Sequence, residues 1–519
     1  MYSETLWKDP EYIAYFLAIL VSVITVELLL TIKWSTLLAR LLKGVKLTLI
    51  ALFDDSLQDE QKEIALRKAA FAMLSVSFKT LFLFLAIIGV FYLDSPLKAL
   101  ALSNTSHHSV STDLSWTILL LIKSMVAMVY WLIRIKLIKT SNKATAVLKA
   151  QSDQSYSVIS KALHDLALDS PLIARMSLEL EKKRYLNKDQ LLSTSSTSQK
   201  PIWVCGLARA GTTILTDVLY ETGLFTSLTY RQMPFPLAPN VWKKLSRWGI
   251  SGIEQKVERA HGDGILVSIN SPEALEEVFW RVYESHVYQQ TESLSVHQSS
   301  PESLLAFEEY LSCILQLEDQ SSLPAKRYLS KNNNHLIRLP SLLGHFPLAK
   351  ILVPLREPLE HAESLRRQHQ KWVERHQEDP FSLSYMNWLS HHEFGLGHKP
   401  FSFAQDSAHT QGEISSESTD PHSLTYWLIR WIEAYSYVES VLAEPRYQSQ
   451  ILIVEYDALS SEPSKVLSNI FSYLDLAIEQ KEVLALAERF KVVPKRAERK
   501  SVDPSLLNKA EGLYRRLSE

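Results

Sequence analysis

The octapeptide Gly206-Leu207-Ala208-Arg209-Ala210-Gly211-Thr212-Thr213 follows an apolar run at residues 201–205 and runs into a helical pattern at 214–220. A strand, a glycine-bounded loop and a helix N-terminus together make a phosphate cradle, because backbone N–H groups and the helix dipole all face the anion. The two outer glycines keep the spacing of an ATP-binding P-loop, but Thr212 stands where that loop needs its lysine. An ATPase would lack its main cation there. Arg209 lies inside the loop instead, a placement that suits a phosphate remaining behind as a leaving group. A second cationic position closes another apolar run: residues 349–355 lead directly into Arg356-Glu357-Pro358, and Ser364 follows Arg356 by eight residues.

In that order and setting, the two motifs resemble those of the sulfotransferases that use 3′-phosphoadenosine 5′-phosphosulfate (PAPS). The first is similar to the 5′-phosphosulfate loop of that superfamily. The second is similar to its 3′-phosphate signature, a strand ending in arginine with a serine eight residues later. The resemblance implies that Arg209, Ala210, Gly211, Thr212 and Thr213 hold one end of the nucleotide and that Arg356 and Ser364 hold the other. Lys331, in Lys331-Asn332-Asn333-Asn334-His335, lies in a stretch that resembles the lysine-bearing segment of bacterial and tyrosylprotein-type members, which implies that it neutralises charge on the bridging oxygen. The stretch Val454-Glu455-Tyr456-Asp457-Ala458-Leu459, with Glu462-Pro463 after it, resembles the late strand and turn of the superfamily. Sulfuryl transfer needs leaving-group cations, a base and alignment, and it demands no metal.

The base is less directly marked. Tyrosylprotein-type members place a glutamate shortly after the first loop, where this chain has Thr229-Tyr230-Arg231-Gln232-Met233. Two candidates stand further on: His261, in a glycine-flanked loop, and Glu276, in Pro272-Glu273-Ala274-Leu275-Glu276-Glu277. His261 is preferred because it resembles the histidine base of cytosolic sulfotransferases, with Glu276 second; Glu273 and its neighbours are otherwise acids that favour a helix start. His391-His392-Glu393 with His398 is not expected to chelate a metal, since adjacent imidazoles diverge on regular structure; an acceptor-binding segment is expected instead. His369 and His376 are expected on an exposed helical face, and Trp427 and Trp431 in the core or a lid.

These residues need elements to carry them. Apolar runs at 201–205, 349–355 and 450–454 predict buried parallel strands, and helical patterns at 272–288, 301–317, 424–443 and 464–474 lie between and after them. The expected fold is α/β, a P-loop-like parallel sheet flanked by helices, spanning 201–519. A helical linker at 141–200 precedes it, with a Ser/Thr-rich stretch at 192–199 and, further along, a polar insertion at 405–421.

Residues 1–140 differ in character. Three apolar runs, at 12–32, 69–93 and 116–133, approach the length that crosses a bilayer, and Asp9 and Glu11 before the first disfavour a cleaved signal peptide. Lys33, Arg40, Lys43 and Lys46 follow the first run, and Arg134, Lys136 and Lys139 follow the third, whereas the loop 94–115 carries only Lys98. The positive-inside rule then places the catalytic part in the cytosol. Residues 45–66 are expected to be an interfacial amphipathic piece followed by a polar linker.

Composition sets the outer limits. The 519 residues carry 55 basic and 57 acidic side chains, a net charge of −2, so no overall basic field invites nucleic acid. Two cysteines exclude a disulfide framework. The expectation is a multi-pass protein of a bacterial inner membrane, with the bilayer, a nucleotide donor and a hydroxyl or amine acceptor, such as a glycan or glycolipid, as partners. A membrane-associated nucleotide phosphotransferase and a non-catalytic binding module of the same fold are the alternatives.

Overall fold

The computed structural model describes residues 19–27, 29, 34–54, 59–92, 124–130, 157–186, 200–246, 257–258, 266–289, 292–317, 326–403, 419–491 and 502–519. The chain divides into two compact units, Met1–Leu166 and Ala167–Glu519.

In the first unit, α1 (Trp34–Phe53) and α2 (Asp59–Tyr92) pack against each other. A Cβ on Gly44 would stand 2.7 Å from Met73 Cγ, so the small residue lets the two helices approach. Among the described residues one helix is long and apolar enough to cross a membrane, over Gln61–Ala86. Three spans were expected; the first run is described only at 19–27 and 29, and the third only at 124–130, all helical. Residues 45–53 also depart from expectation: they continue α1 to Phe53, and α2 begins at Asp59, so no polar linker reaches residue 66. Phe71, Phe78 and Phe82 on α2 are each more than 70% exposed, an apolar face that water disfavours.

The second unit is built on a five-stranded parallel sheet. Its strands are β1 (Ile202–Val204), β2 (Phe225–Thr226), β3 (Arg327–Lys331), β4 (Lys350–Leu355) and β5 (Ile451–Glu455), in the order β2-β3-β1-β4-β5. The central strands β1 and β4 are covered on both faces, which is why they are nearly continuous apolar runs. Alternation along the strands divides the core. Trp203, Ile351, Val353 and Leu355 join one apolar cluster, while Ile202, Val204, Leu329 and Leu352 join another, as the two-residue repeat of a strand requires. Each such buried side chain contributes roughly 1.5–3 kcal/mol. Cys205 and Cys313 are both buried free thiols.

Four helices matter to the site: α3 (Thr212–Glu221) after β1, α4 (Glu277–Tyr283), α5 (Pro358–Glu378) after β4, and α6 (Leu424–Leu442). The helical pattern at 272–288 resolves into α4 and a short turn of helix at Ser285–Gln289. Parallel strands all end on one edge, so the segments after β1, β3, β4 and β5 converge there, where open α/β sheets bind ligands.

Candidate active site

The loop after β1 is fixed by its backbone. Cys205 N–H donates to Leu352 O on β4 at 3.0 Å, and Arg209 and Gly211 take positive φ values of 70° and 97°. A Cβ on Gly211 would lie 2.5 Å from the Tyr456 ring, so both φ and space require glycine at this position. Thr212 then opens α3, whose first amides have no intrahelical acceptor and face the loop.

The two cationic positions converge. Arg356, the first residue after β4, donates from Nη1 to the Arg209 carbonyl at 3.2 Å. Arg209 in turn donates from Nε to Ser364 Oγ on α5 at 3.4 Å. The Arg356 guanidinium also lies 5.2 Å from the centroid of the Tyr456 ring, which begins the helix after β5. Arg209, Gly211, Thr212, Arg356 and Ser364 therefore share one edge of the sheet.

His361 is a part of this edge that the motifs did not reveal. It stands three residues before Ser364 on α5, fully buried, and donates from Nε2 to the Ala208 carbonyl at 2.7 Å. Burial, with Arg356 and Arg209 nearby, pushes its pKa down to about 3, so the ring is neutral and carries its proton on the nitrogen facing the loop. The signal was helical periodicity: positions three apart share a helix face.

Lys331 closes β3 in register with Val204, the last residue of β1, and so stands beside the loop. Its Nζ lies 3.4 Å from Glu273 Oε1. The other oxygen of Glu273 accepts from the Tyr230 hydroxyl at 2.5 Å, and Ala274 N–H donates to Oε1 at 2.9 Å. Burial alone would raise this carboxyl's pKa, but the charges of Lys331 and His391 and the Tyr230 bond overcome it and hold the group well below the usual range. Glu273 is thus ionised at neutral pH. Glu273 is brought beside the 229–233 stretch in space, because Thr229 bridges to Pro272 and Glu273 N–H donates to Leu228 O at 3.0 Å.

Of the two favoured bases, Glu276 alone is among the described residues. His261 lies outside the described residues. Glu276 is completely buried: Oε2 accepts from Tyr328 at 2.6 Å, and Oε1 stands 2.7 Å from His335 Nε2. Beside it, Glu277 takes both terminal nitrogens of Arg338 at 2.8 and 3.0 Å and a bond from Asn332 Nδ2 at 2.7 Å. This ionic core braces the backbone that leads away from Lys331.

The histidine-rich segment is tied down. His369 and His376 are buried rather than exposed, and their Nδ1 atoms accept from Gly395 N–H at 3.3 Å and Leu396 N–H at 3.1 Å. Among the described residues no group of three or more His, Cys, Asp or Glu side chains is arranged to hold a metal ion.

Comparison with known proteins adds a family. Residues 201–394 match the model of the sulfotransferase family. No curated protein matches the chain. Among solved structures, it is similar to sulfotransferase STF1 from Mycobacterium tuberculosis H37Rv, at 14% identity over 72% of this chain and 90% of that one, with a TM-score of 0.37. Sulfotransferase STF9 from Mycobacterium avium gives 14% identity, 72% and 95% coverage and a TM-score of 0.37. The sulfotransferase domain of the Synechococcus PCC 7002 olefin synthase gives 13%, 62%, 94% and 0.26. The matched segment contains the anion loop, Glu273, Lys331, Arg356 and Ser364, so the similarity to the sulfotransferase family covers the candidate site.

Proposed function

We propose that this protein transfers a sulfuryl group from PAPS to a hydroxyl or amine acceptor. The reading is carried by one observation: Arg209, Ser364 and Arg356 converge across the ends of neighbouring strands, with Lys331 on the next strand along. Two phosphate-bearing ends of one nucleotide call for two such cationic positions. The loop amides, Arg209, Thr212 and Thr213 would hold the 5′ end, and Arg356 with Ser364 the 3′-phosphate.

The donor supplies an activated sulfur–oxygen bond. Lys331 offsets charge on the oxygen that departs with the nucleotide, and Glu273 accepts the acceptor's proton. One S–O bond to the 5′-phosphate breaks, one bond from the acceptor atom to sulfur forms, and 3′-phosphoadenosine 5′-phosphate leaves. Lys331 and Glu273 already stand as a pair, so this chemistry asks only that the lysine turn from the carboxylate toward the departing oxygen. His361 is a positioning residue, since it reaches the loop through the Ala208 carbonyl.

Membrane attachment belongs to the same proposal. The exposed phenylalanines of α2 support one span, and the cations around the apolar runs support a catalytic unit on the cytosolic side of a bacterial inner membrane. The bilayer would then bring a membrane-borne acceptor, a lipid or lipid-linked glycan, close to the enzyme.

Calorimetry of the full chain in lipid nanodiscs with 3′-phosphoadenosine 5′-phosphate tests the reading. Saturable, magnesium-independent binding is expected. Arg356→Ala should weaken it by about 10- to 150-fold, since a hydrogen bond to a charged group contributes about 1.5–3 kcal/mol. Absence of binding by the wild type, or binding only with magnesium, would sink the proposal and favour a phosphotransferase.

A further inference from the structure

We infer that the acceptor presents its hydroxyl from a hydrophobic body, aryl or long-chain alkyl, seated against an apolar cleft beside the anion loop. This inference rests on the sulfuryl-transfer reading and names its acceptor class.

The cleft shares its walls with the site. Leu207 and Ala208 immediately precede Arg209, Leu365 follows Ser364, and Asn334 lies three residues beyond Lys331. The remaining apolar surface comes from Leu294, Phe401, Phe403 and Trp427.

The polar side chains on the same walls are engaged with the protein. His398 contacts His392 O through Nδ1 at 3.1 Å and Tyr426 Oη through Nε2 at 2.8 Å. His392 Nδ1 meets Gly397 O at 3.0 Å, and Lys399 donates to Tyr288 O at 3.0 Å. Glu393 accepts from Asn333 at 2.9 Å, and Arg430 pairs with Glu433 at 3.0 Å. Burial holds the pKa of His392 and of His398 near 4, so these rings add no charge at neutral pH. A sugar would bring several hydroxyls to walls whose polar side chains are mostly paired with the protein already, the buried Arg430 Nε excepted. Each one desolvated without a partner weakens binding by roughly 5- to 150-fold. An apolar body gains from the same walls through burial of its surface. Their shape is also fixed, because His369 and His376 anchor the 395–396 backbone to α5.

The test uses the full chain in nanodiscs, with labelled PAPS and two acceptors, 2-naphthol and trehalose. Transfer to 2-naphthol should exceed transfer to trehalose by at least tenfold in kcat/KM. Phe401→Asp should raise the KM for 2-naphthol about tenfold or more while leaving the affinity for 3′-phosphoadenosine 5′-phosphate unchanged. Phe403→Ser serves as a second wall variant if the first does not fold. Preference for trehalose by an enzyme that binds the nucleotide would overturn the inference and leave the transfer reading standing. Nucleotide binding that fails in the wild type would instead sink the transfer reading. In that event calorimetry with 2-naphthol alone still judges the cleft, and equal heats from wild type and wall variants would overturn it.

Discussion

Glu273→Gln is expected to lower kcat by about 10²- to 10⁴-fold, the range general-base catalysis supplies, with nucleotide affinity unchanged. The substitution keeps the shape that accepts the Tyr230 hydroxyl and removes the charge that meets Lys331. Lys331→Ala should cost about 10²–10³ in kcat, because a donor aimed at developing charge acts most strongly in the transition state. The double variant separates two roles. If the residues act together on the transferring group, its loss will be smaller than the product of the single losses. Rates are to be measured by single-turnover sulfate transfer, which isolates chemistry from product release. Near-normal single-turnover rates for Glu273→Gln would remove this carboxylate from the mechanism and return attention to His261.

Arg338→Ala should destabilise the second unit by about 3–5 kcal/mol, since it leaves the Glu277 carboxylate buried without its main counter-charge. Arg338 is fully buried, grips both oxygens of Glu277 and lies 4.7 Å over the Trp280 ring. Charge and hydrogen bonds from Arg338, with further help from His335, hold Glu277 at a pKa of about 2 against a burial effect that would raise it. Replacing both partners, as Glu277→Leu with Arg338→Met, should recover much of the loss, because neither member of the pair is then left buried without its counter-charge. Urea unfolding of the full chain, followed by a signal from the second unit, reads both variants. A loss below about 1 kcal/mol for Arg338→Ala would show that water reaches the carboxylate, contrary to its burial.

β1 and β4 were legible because burial on both faces makes central strands short apolar runs, and the edge strand β5 because Ile451–Val454 is itself an unbroken apolar run. β2 was not, since Phe225–Thr226 is only two residues long. β3 hides for another reason: Arg327 and Lys331 bound it, so its pattern lacks the apolar ends of its neighbours. The residues of the anion loop and its partner arginine were visible from type and spacing, and the structure shows that they share an edge. Glu273 was set aside as a helix-start acid because its partners come from elsewhere in the chain. Tyr230 lies 43 residues before it and Lys331 58 residues after, and only strand register and the Thr229–Pro272 bridge unite them. His369 and His376 looked solvent-facing on a polar helix, but the 395–396 backbone covers them. Such long-range packing leaves no local periodicity to detect.

The meeting of Arg356 with the Arg209 carbonyl, and of Arg209 with Ser364, has a practical side for anyone assaying this protein. Like charges gathered around one loop attract any small multivalent oxyanion, so sulfate or phosphate buffers would compete with the proposed nucleotide for the same ground. Constants measured in such buffers describe displacement of the salt as much as recognition of adenosine, and a chloride-based medium of fixed ionic strength separates the two.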